Sequence, residues 1–139
     1  MNDDCIFCQI AAGKERASFV WEDPHVFGMM SLEQPTPCKV LMIPRQHVES
    51  LFDLSDDLAA KFFQATVKVA RAVRDASGCP GLNIVQSNGK LGQQDVFHFH
   101  LHIVPRFKDD GITLRWDNTV QERSHLDGLA QKIRSAVKP

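Results

Sequence analysis

Val96-Phe97-His98-Phe99-His100-Leu101-His102-Ile103-Val104-Pro105 alternates imidazole with apolar side chains three times over. Strict period-two alternation reads as a half-buried strand, with His98, His100 and His102 on one face and Phe97, Phe99, Leu101 and Ile103 turned into a core. Same-face neighbours on a strand stand roughly 7 Å apart, so one ligand can touch two of the histidines, but a strand alone does not bring all three to one atom. The plain alternative is a solvated polar face that happens to be histidine-rich. Imidazole, however, serves as nucleophile, acid–base or metal ligand near neutral pH, and a row of three points to chemistry.

Immediately upstream, Ser87-Asn88-Gly89-Lys90-Leu91-Gly92-Gln93-Gln94-Asp95 supplies glycines for tight turns and amide and hydroxyl donors beside them. Taken alone it is merely a polar loop. Next to the histidines it suggests an anion cradle built from neutral donors. Before it, Leu82-Asn83-Ile84-Val85 is an apolar run, and Gly78-Cys79-Pro80-Gly81 stops the clearest helix, from about Ser55 to Ala76. Ser55 is its expected N-cap, Asp56 and Asp57 suit the positive end of the dipole, and Leu58, Phe62, Ala65, Val69 and Val73 recur at helical spacing. Ala59, Phe63, Val67 and Ala70 widen that stripe.

Further out, Lys39-Val40-Leu41-Met42-Ile43 reads as a buried strand closed by Pro44, and Gln34-Pro35-Thr36-Pro37 as a rigid connection. Two short strand-like runs, Phe19 to Trp21 and His25 to Phe27, flank the Asp23-Pro24 turn. Residues 5–12 suggest a short turn or helix. Near the C-terminus Leu126, Leu129, Ala130, Ile133 and Val137 carry a second helix, weakened by Gly128. The expected architecture is α+β, a mostly antiparallel sheet with helices on one side, in one domain spanning residues 1–139.

Composition sets outer limits. Sixteen basic and seventeen acidic side chains leave a net charge of -1, which argues against a nucleic-acid partner held by bulk electrostatics. No apolar run is long enough to span a bilayer, and the opening MNDDCIFCQI is acidic and unlike a secretory signal, so the expectation is a cytoplasmic protein without a membrane partner. Four cysteines in such a chain read as metal ligands or free thiols rather than disulfides. Cys5-x-x-Cys8 has the spacing of half a tetrahedral zinc site, or of two small packing residues. Cys38 and Cys79 are read as packing residues.

The stretch from Gly92 to Arg106 resembles the signature of the histidine triad family, His-φ-His-φ-His-φ-φ with φ apolar. The similarity extends through Leu82-Asn83-Ile84, Leu41 to His47, the opening Cys5-Ile6-Phe7-Cys8 and Trp21-Glu22-Asp23, covering the chain from Cys5 to about Arg106. The resemblance, closest to zinc-containing bacterial members, implies the histidine triad fold and nucleotide chemistry. A nucleotide hydrolase or nucleotidyl transferase is expected, acting at the α-phosphate of nucleoside phosphoramidates or dinucleoside polyphosphates. In it His100 attacks phosphorus to give a covalent nucleotidyl-histidine, His102 contacts the phosphate oxygens, and His98 orients the site or ligates metal.

The resemblance also implies one structural zinc on Cys5, Cys8, His47 and His98, and a homodimer paired through a helix and a strand edge. Phosphate donors are expected at Gln94, Ser87 and Asn88. An apolar pocket for the base of a purine nucleotide or nucleotide conjugate is expected from Phe7, Ile10, Met29 and Leu41. Departures bear on substrate. Ser31 stands where many members carry an Asp that clamps the ribose hydroxyls, Lys39 replaces a frequent histidine, and Asp95 replaces a Ser or Thr, where a carboxylate repels phosphate unless protonated or turned away. Two other functions fit the residues: a metalloenzyme using the three strand histidines, and a nucleotide-binding or scaffolding protein with weak or vestigial catalysis.

Overall fold

Val40–Pro44 is buried at all five positions, without the alternation of a half-exposed strand. The reason is that both faces of the sheet are covered there. Val40 and Met42 enter one core with Phe62, Val69, Phe99, Leu101 and Ile103, whereas Leu41 and Ile43 enter another with Phe7, Ile10, Phe27 and Met29.

The computed structural model describes residues 2–139. Its elements run α1 (Ile6–Ala11), β1 (Phe19–Glu22), β2 (Val26–Met30), β3 (Val40–Pro44), a 3-10 turn (Leu51–Asp53), α2 (Asp56–Ser77), β4 (Gly81–Gln86), β5 (Leu101–Arg106) and α3 (Arg123–Ala136). The strands form one sheet in the order β1-β2-β3-β5-β4, and every pairing is antiparallel. This is the antiparallel α+β sheet expected, but its helices do not share one side. The long helix α2 covers one face, and the single turn and a half of α1 lies against the other.

The α2 boundaries follow from local chemistry. Ser55 Oγ accepts from the Leu58 N–H, two aspartates sit in the first turn, and Gly78 closes the helix in the left-handed region with φ 68°. Leu58, Phe62, Ala65, Val69 and Val73 are buried as the stripe predicts, but Phe63 and Val67 stay exposed. The wider stripe is therefore not all core. Between β1 and β2, Asp23 Oδ1 accepts from the N–H groups of His25 and Val26, which makes the Asp23-Pro24 turn.

Three expectations need correction. The histidine strand does not begin at Val96, because β5 is paired only from Leu101 onward. The β3–β5 ladder ends at Met42↔Leu101, two residues short of Pro44, which has no N–H to donate and whose carbonyl is taken by the His98 ring. Phe97 consequently points outward at 45% exposure instead of entering the core. The C-terminal helix forms, but none of its residues is buried, Val137 lies just beyond it, and Leu129 and Ile133 face solvent. Its apolar stripe meets no face of this chain's core.

Candidate active site and metal centre

The irregular segment from Val96 to His100 positions the chemistry. A backbone bond anchors it to a neighbouring segment, Phe99 N–H donating to the Val48 carbonyl at 2.7 Å. Phe99 is driven into the α2-side core, and that fixes the flanking His98 and His100 on the opposite side, both buried. His102, the first of the three within a strand proper, pairs with Leu41 on β3 and so shares the α1 face. The three histidines thus share a face as expected, although a bent loop rather than a strand presents two of them.

His98 belongs to a four-residue cluster. Its Nε2 donates to the Pro44 carbonyl at 2.8 Å, which leaves a lone pair on Nδ1. That Nδ1 lies 3.3 Å from Cys5 Sγ, 3.6 Å from Cys8 Sγ and 3.1 Å from His47 Nδ1, and Cys8 Sγ lies 3.3 Å from His47 Nδ1. All four ligand atoms fall within 4.8 Å of one another. Burial lowers His98 from 6.5 to about 4, against the pull of the Pro44 carbonyl, so the ring is neutral at pH 7. The Cys5 thiol is raised, chiefly by burial. Two thiols and two imidazoles converging on one point, with the outer nitrogen of His98 braced by a carbonyl, form a donor set that suits a metal cation. The edges of a tetrahedron with zinc-like bond lengths would be about 3.3–3.8 Å, close to the spacing found. These residues can hold a metal ion, and α1, which carries Cys8 and is preceded by Cys5, is the element it would tie to the segments that follow β3 and precede β5.

His100 is aimed differently. Its Nδ1 lies 2.8 Å from the His98 carbonyl, which can only accept, so Nδ1 carries the proton of that bond. Its Nε2 faces Asp95 Oδ1 at 3.1 Å. The Phe7 ring meets the His100 ring edge-on at 5.1 Å and the His98 ring at 5.7 Å, holding both imidazoles in place. The His102 ring lies 5.1 Å from that of His100. Burial, then the charge of Lys39 and the proximity of His100, lower His102 to about 4. It therefore offers a neutral N–H at pH 7, with Lys39 as the nearby cation.

The expected binding residues divide. Phe7, Ile10, Met29 and Leu41 do come together, as one buried apolar cluster on the triad's face, and Ser31 is buried at the end of β2. Gln94 does not present a phosphate donor. Its Nε2 donates to the carbonyls of Glu49 (2.6 Å) and Val96 (3.1 Å), and its Oε1 accepts from Gly89 N–H. The amide is spent on shaping the loop, because a buried side chain with four bonding positions must satisfy them where it lies. Asn88 is likewise engaged, accepting from Leu51 N–H at 2.7 Å and exchanging bonds with Gln86. Ser87 is half-buried.

Sequence reasoning missed the Asp95–His100 contact. A carboxylate five residues from a histidine carries no signal of its own, and the two meet only because the segment bends. The three histidines do not converge on one ion as a catalytic-metal site would require: His98 faces the cysteines and His100 faces Asp95.

The family model described as "HIT domain" matches residues 12–109. "Protein hit" of Bacillus subtilis (strain 168) is 42% identical over 136 residues, covering 97% of this chain and 92% of its own. Adenosine 5'-monophosphoramidase hnt1 of Schizosaccharomyces pombe is 27% identical over 135 residues, covering 96% of this chain and 98% of its own. Among solved structures, a member of the HIT family of proteins from Bacillus subtilis superposes with a TM-score of 0.94 at 35% identity, covering 99% of both chains. A zinc-bound histidine triad family protein from Mycobacterium smegmatis superposes with a TM-score of 0.73 at 31% identity, covering 96% of this chain and 97% of that one.

Proposed function

The chain belongs to the HIT domain family, and from that premise we propose that it is a nucleotide hydrolase or nucleotidyl transferase. It acts at the α-phosphate of nucleoside phosphoramidates or dinucleoside polyphosphates through a nucleotidyl-histidine at His100. The observation that carries this reading is the orientation of the His100 ring. With Nδ1–H spent on the His98 carbonyl, Nε2 is the nitrogen left to meet a substrate, on the side where the solvent-exposed Asp95 stands. Nucleophilic attack splits one difficult displacement into two steps, and the imidazolium formed at phosphorus keeps its Nδ1–H bond to a carbonyl throughout. His102 donates its N–H to the phosphate oxygens, with Lys39 adding charge that a neutral ring does not. The similarity to an adenosine 5'-monophosphoramidase supports the phosphoramidate class.

The nucleoside of a purine nucleotide or conjugate rests on Phe7, Ile10, Met29 and Leu41. Ser31, lacking a two-oxygen fork, grips the ribose weakly. With both Gln94 amide hydrogens engaged in the loop, Ser87, the second Asn88 amide hydrogen and backbone N–H groups are the phosphate donors. Zinc is the metal proposed for Cys5, Cys8, His47 and His98: a closed set of two thiolates and two imidazoles is its usual structural site, and it supplies charge neutralisation and a cross-link there. Four free cysteines suit a reducing cytoplasm. The working unit is a homodimer. The exposed Val67 on α2 lines a groove shared with Leu82 of β4, itself an edge strand, and the exposed Phe63 lies one turn earlier on the same helix. No helix among the described residues is long and apolar enough to cross a membrane.

The test is His100→Ala. Turnover of an adenosine phosphoramidate should fall by at least three orders of magnitude, with the fold and nucleotide binding retained. Acid-quenched wild type incubated with labelled substrate should carry the nucleotide on nitrogen of His100. A purified His100→Ala protein that turns over normally removes the proposal. A nucleotide that binds without any adduct forming favours instead a binding or scaffolding protein, a reading that the carboxylate against Nε2 keeps in play.

A further inference from the structure

We propose that Ser31 and Lys39 form a second anion subsite, and that the nucleotide this chain takes carries a phosphate on its ribose as well as at the 5′ position. This deepens the reading of the triad face as a nucleotide site and rests on it. The two residues stand opposite each other where β2 and β3 run out. The ladder pairs Met29 with Leu41 and Met30 with Val40. The same register continues one step further, the Ser31 N–H donating to the Lys39 carbonyl at 3.1 Å. Alternation puts Ser31 on the face of Met29 and Lys39 on the face of Leu41, next to the apolar cluster proposed for the nucleoside. Leu41 in turn pairs with His102, which makes Lys39 a diagonal neighbour of that histidine. The charge of Lys39 is felt there, since after burial it is the next cause that keeps the His102 ring neutral.

The pair is held in place from outside the site. The Gln34 side chain donates to the carbonyls of Ser31 (2.7 Å) and Lys39 (2.8 Å) and accepts from the Lys39 N–H at 3.1 Å. One amide thereby fixes both backbones. The functional ends, by contrast, are unspent. Ser31 is 8% exposed, yet its Oγ makes no hydrogen bond among the described residues. No enclosed polar side-chain atom among them lacks a partner, so the small opening that Ser31 keeps is at its hydroxyl. Lys39 is half-buried, and no carboxylate among the described residues pairs with its ammonium.

What such a pair recognises follows from its donors. An ammonium offers three N–H groups and no acceptor, and a serine hydroxyl adds one donor. A free ribose diol is held best by a carboxylate, which takes both of its protons; an ammonium takes neither. A phosphate monoester accepts from ammonium and hydroxyl together and supplies the opposite charge. In dinucleotide-binding folds the same trade of an acidic residue for a cation separates sites for a free 2′-hydroxyl from sites for a 2′-phosphate. The sugar joins base to α-phosphate. With the base on Met29 and Leu41 and the phosphate at His102, its 2′ and 3′ positions border the row formed by Ser31 and Lys39.

Calorimetry at one ionic strength tests this, with AMP, ADP and adenosine 2′,5′- and 3′,5′-bisphosphate against wild type, Lys39→Gln and Ser31→Asp. A hydrogen bond to a charged group is worth roughly 10- to 150-fold in affinity, so one bisphosphate should bind wild type at least about tenfold more tightly than AMP. ADP, with the same added charge on the 5′ chain, should gain about threefold or less, and Lys39→Gln should reduce the bisphosphate preference to about that level. Ser31→Asp should reverse the preference in favour of AMP. AMP and both bisphosphates binding alike, or ADP gaining as much as a bisphosphate, overturns the ribose-phosphate subsite and leaves the nucleotide site standing. A preference unchanged in both variants overturns its assignment to Ser31 and Lys39. Failure of all four nucleotides to bind wild type overturns the nucleotide reading itself.

Discussion

The two faces of the sheet are built on different principles. Under α2, Val26, Val40, Met42, Phe62, Val69, Phe99, Leu101 and Ile103 form a wholly apolar core beneath a 22-residue capped helix. On the other face a six-residue helix without a side-chain cap covers Phe27, Met29, Leu41 and Ile43, and its ligands Cys8, with Cys5, meet His47 and His98. A helix that short has almost no stability of its own. Hydrophobic area holds the first face. The second joins a smaller apolar cluster to four residues that could hold a metal ion, one of them a triad histidine. Stability and chemistry are thereby separated across a single sheet.

That contrast can be broken most directly on the α2 face. Phe62→Ala removes a fully buried ring and should cost about 3–5 kcal/mol by denaturant titration, while turnover per folded molecule stays near wild type. If catalysis falls in step with stability, the faces are not independent. Cys8→Ser probes the other face. Loss of a direct ligand should weaken metal retention by roughly 100-fold or more, about 2.7 kcal/mol, measured by competition with a chelator. Hydrogen exchange should then speed up in residues 6–11 and remain slow in α2. Uniform loosening of both would contradict the division.

The smallest effect concerns pH. His102 is depressed in the folded state to about 4, whereas an unfolded histidine titrates near 6.5. Between those values the unfolded chain binds more protons, so this contribution is complete above about pH 6.5 and is lost as pH falls toward 4. With solvent screening it amounts to roughly 1–2 kcal/mol. His102→Gln should flatten the stability profile by that amount in this window. An unchanged profile would mean the ring is charged or freely solvated in the folded protein.

Much of this was readable in the residues. The α2 helix was legible to within a residue at each end, because Ser55 and Gly78 are chemical boundary markers that act locally. The metal cluster was half legible as Cys5-x-x-Cys8, its other half coming from resemblance. Gln94 and Asn88 were read as donors from residue type, but a sequence does not name the loop groups each amide meets: the carbonyls of Glu49 and Val96 for Gln94, and the Gln86 amide for Asn88. The wide α2 stripe marked Phe63 and Val67 as apolar without saying whether this chain would cover them.

The sequence by itself determined the alternation of histidine with apolar residues, and so the assignment of Phe99, Leu101 and Ile103 to the core and of three imidazoles away from it. It determined this because side-chain direction along an extended chain depends on position alone. Only the tertiary structure decided what each imidazole meets. Pro44, donating no N–H, ends the β3–β5 ladder and gives its carbonyl to His98; the unpaired segment bends, His98 falls among the cysteines and His100 turns to Asp95. Those contacts join residues far apart in the chain, or near ones across a bend, and their geometry exists only once the sheet has closed.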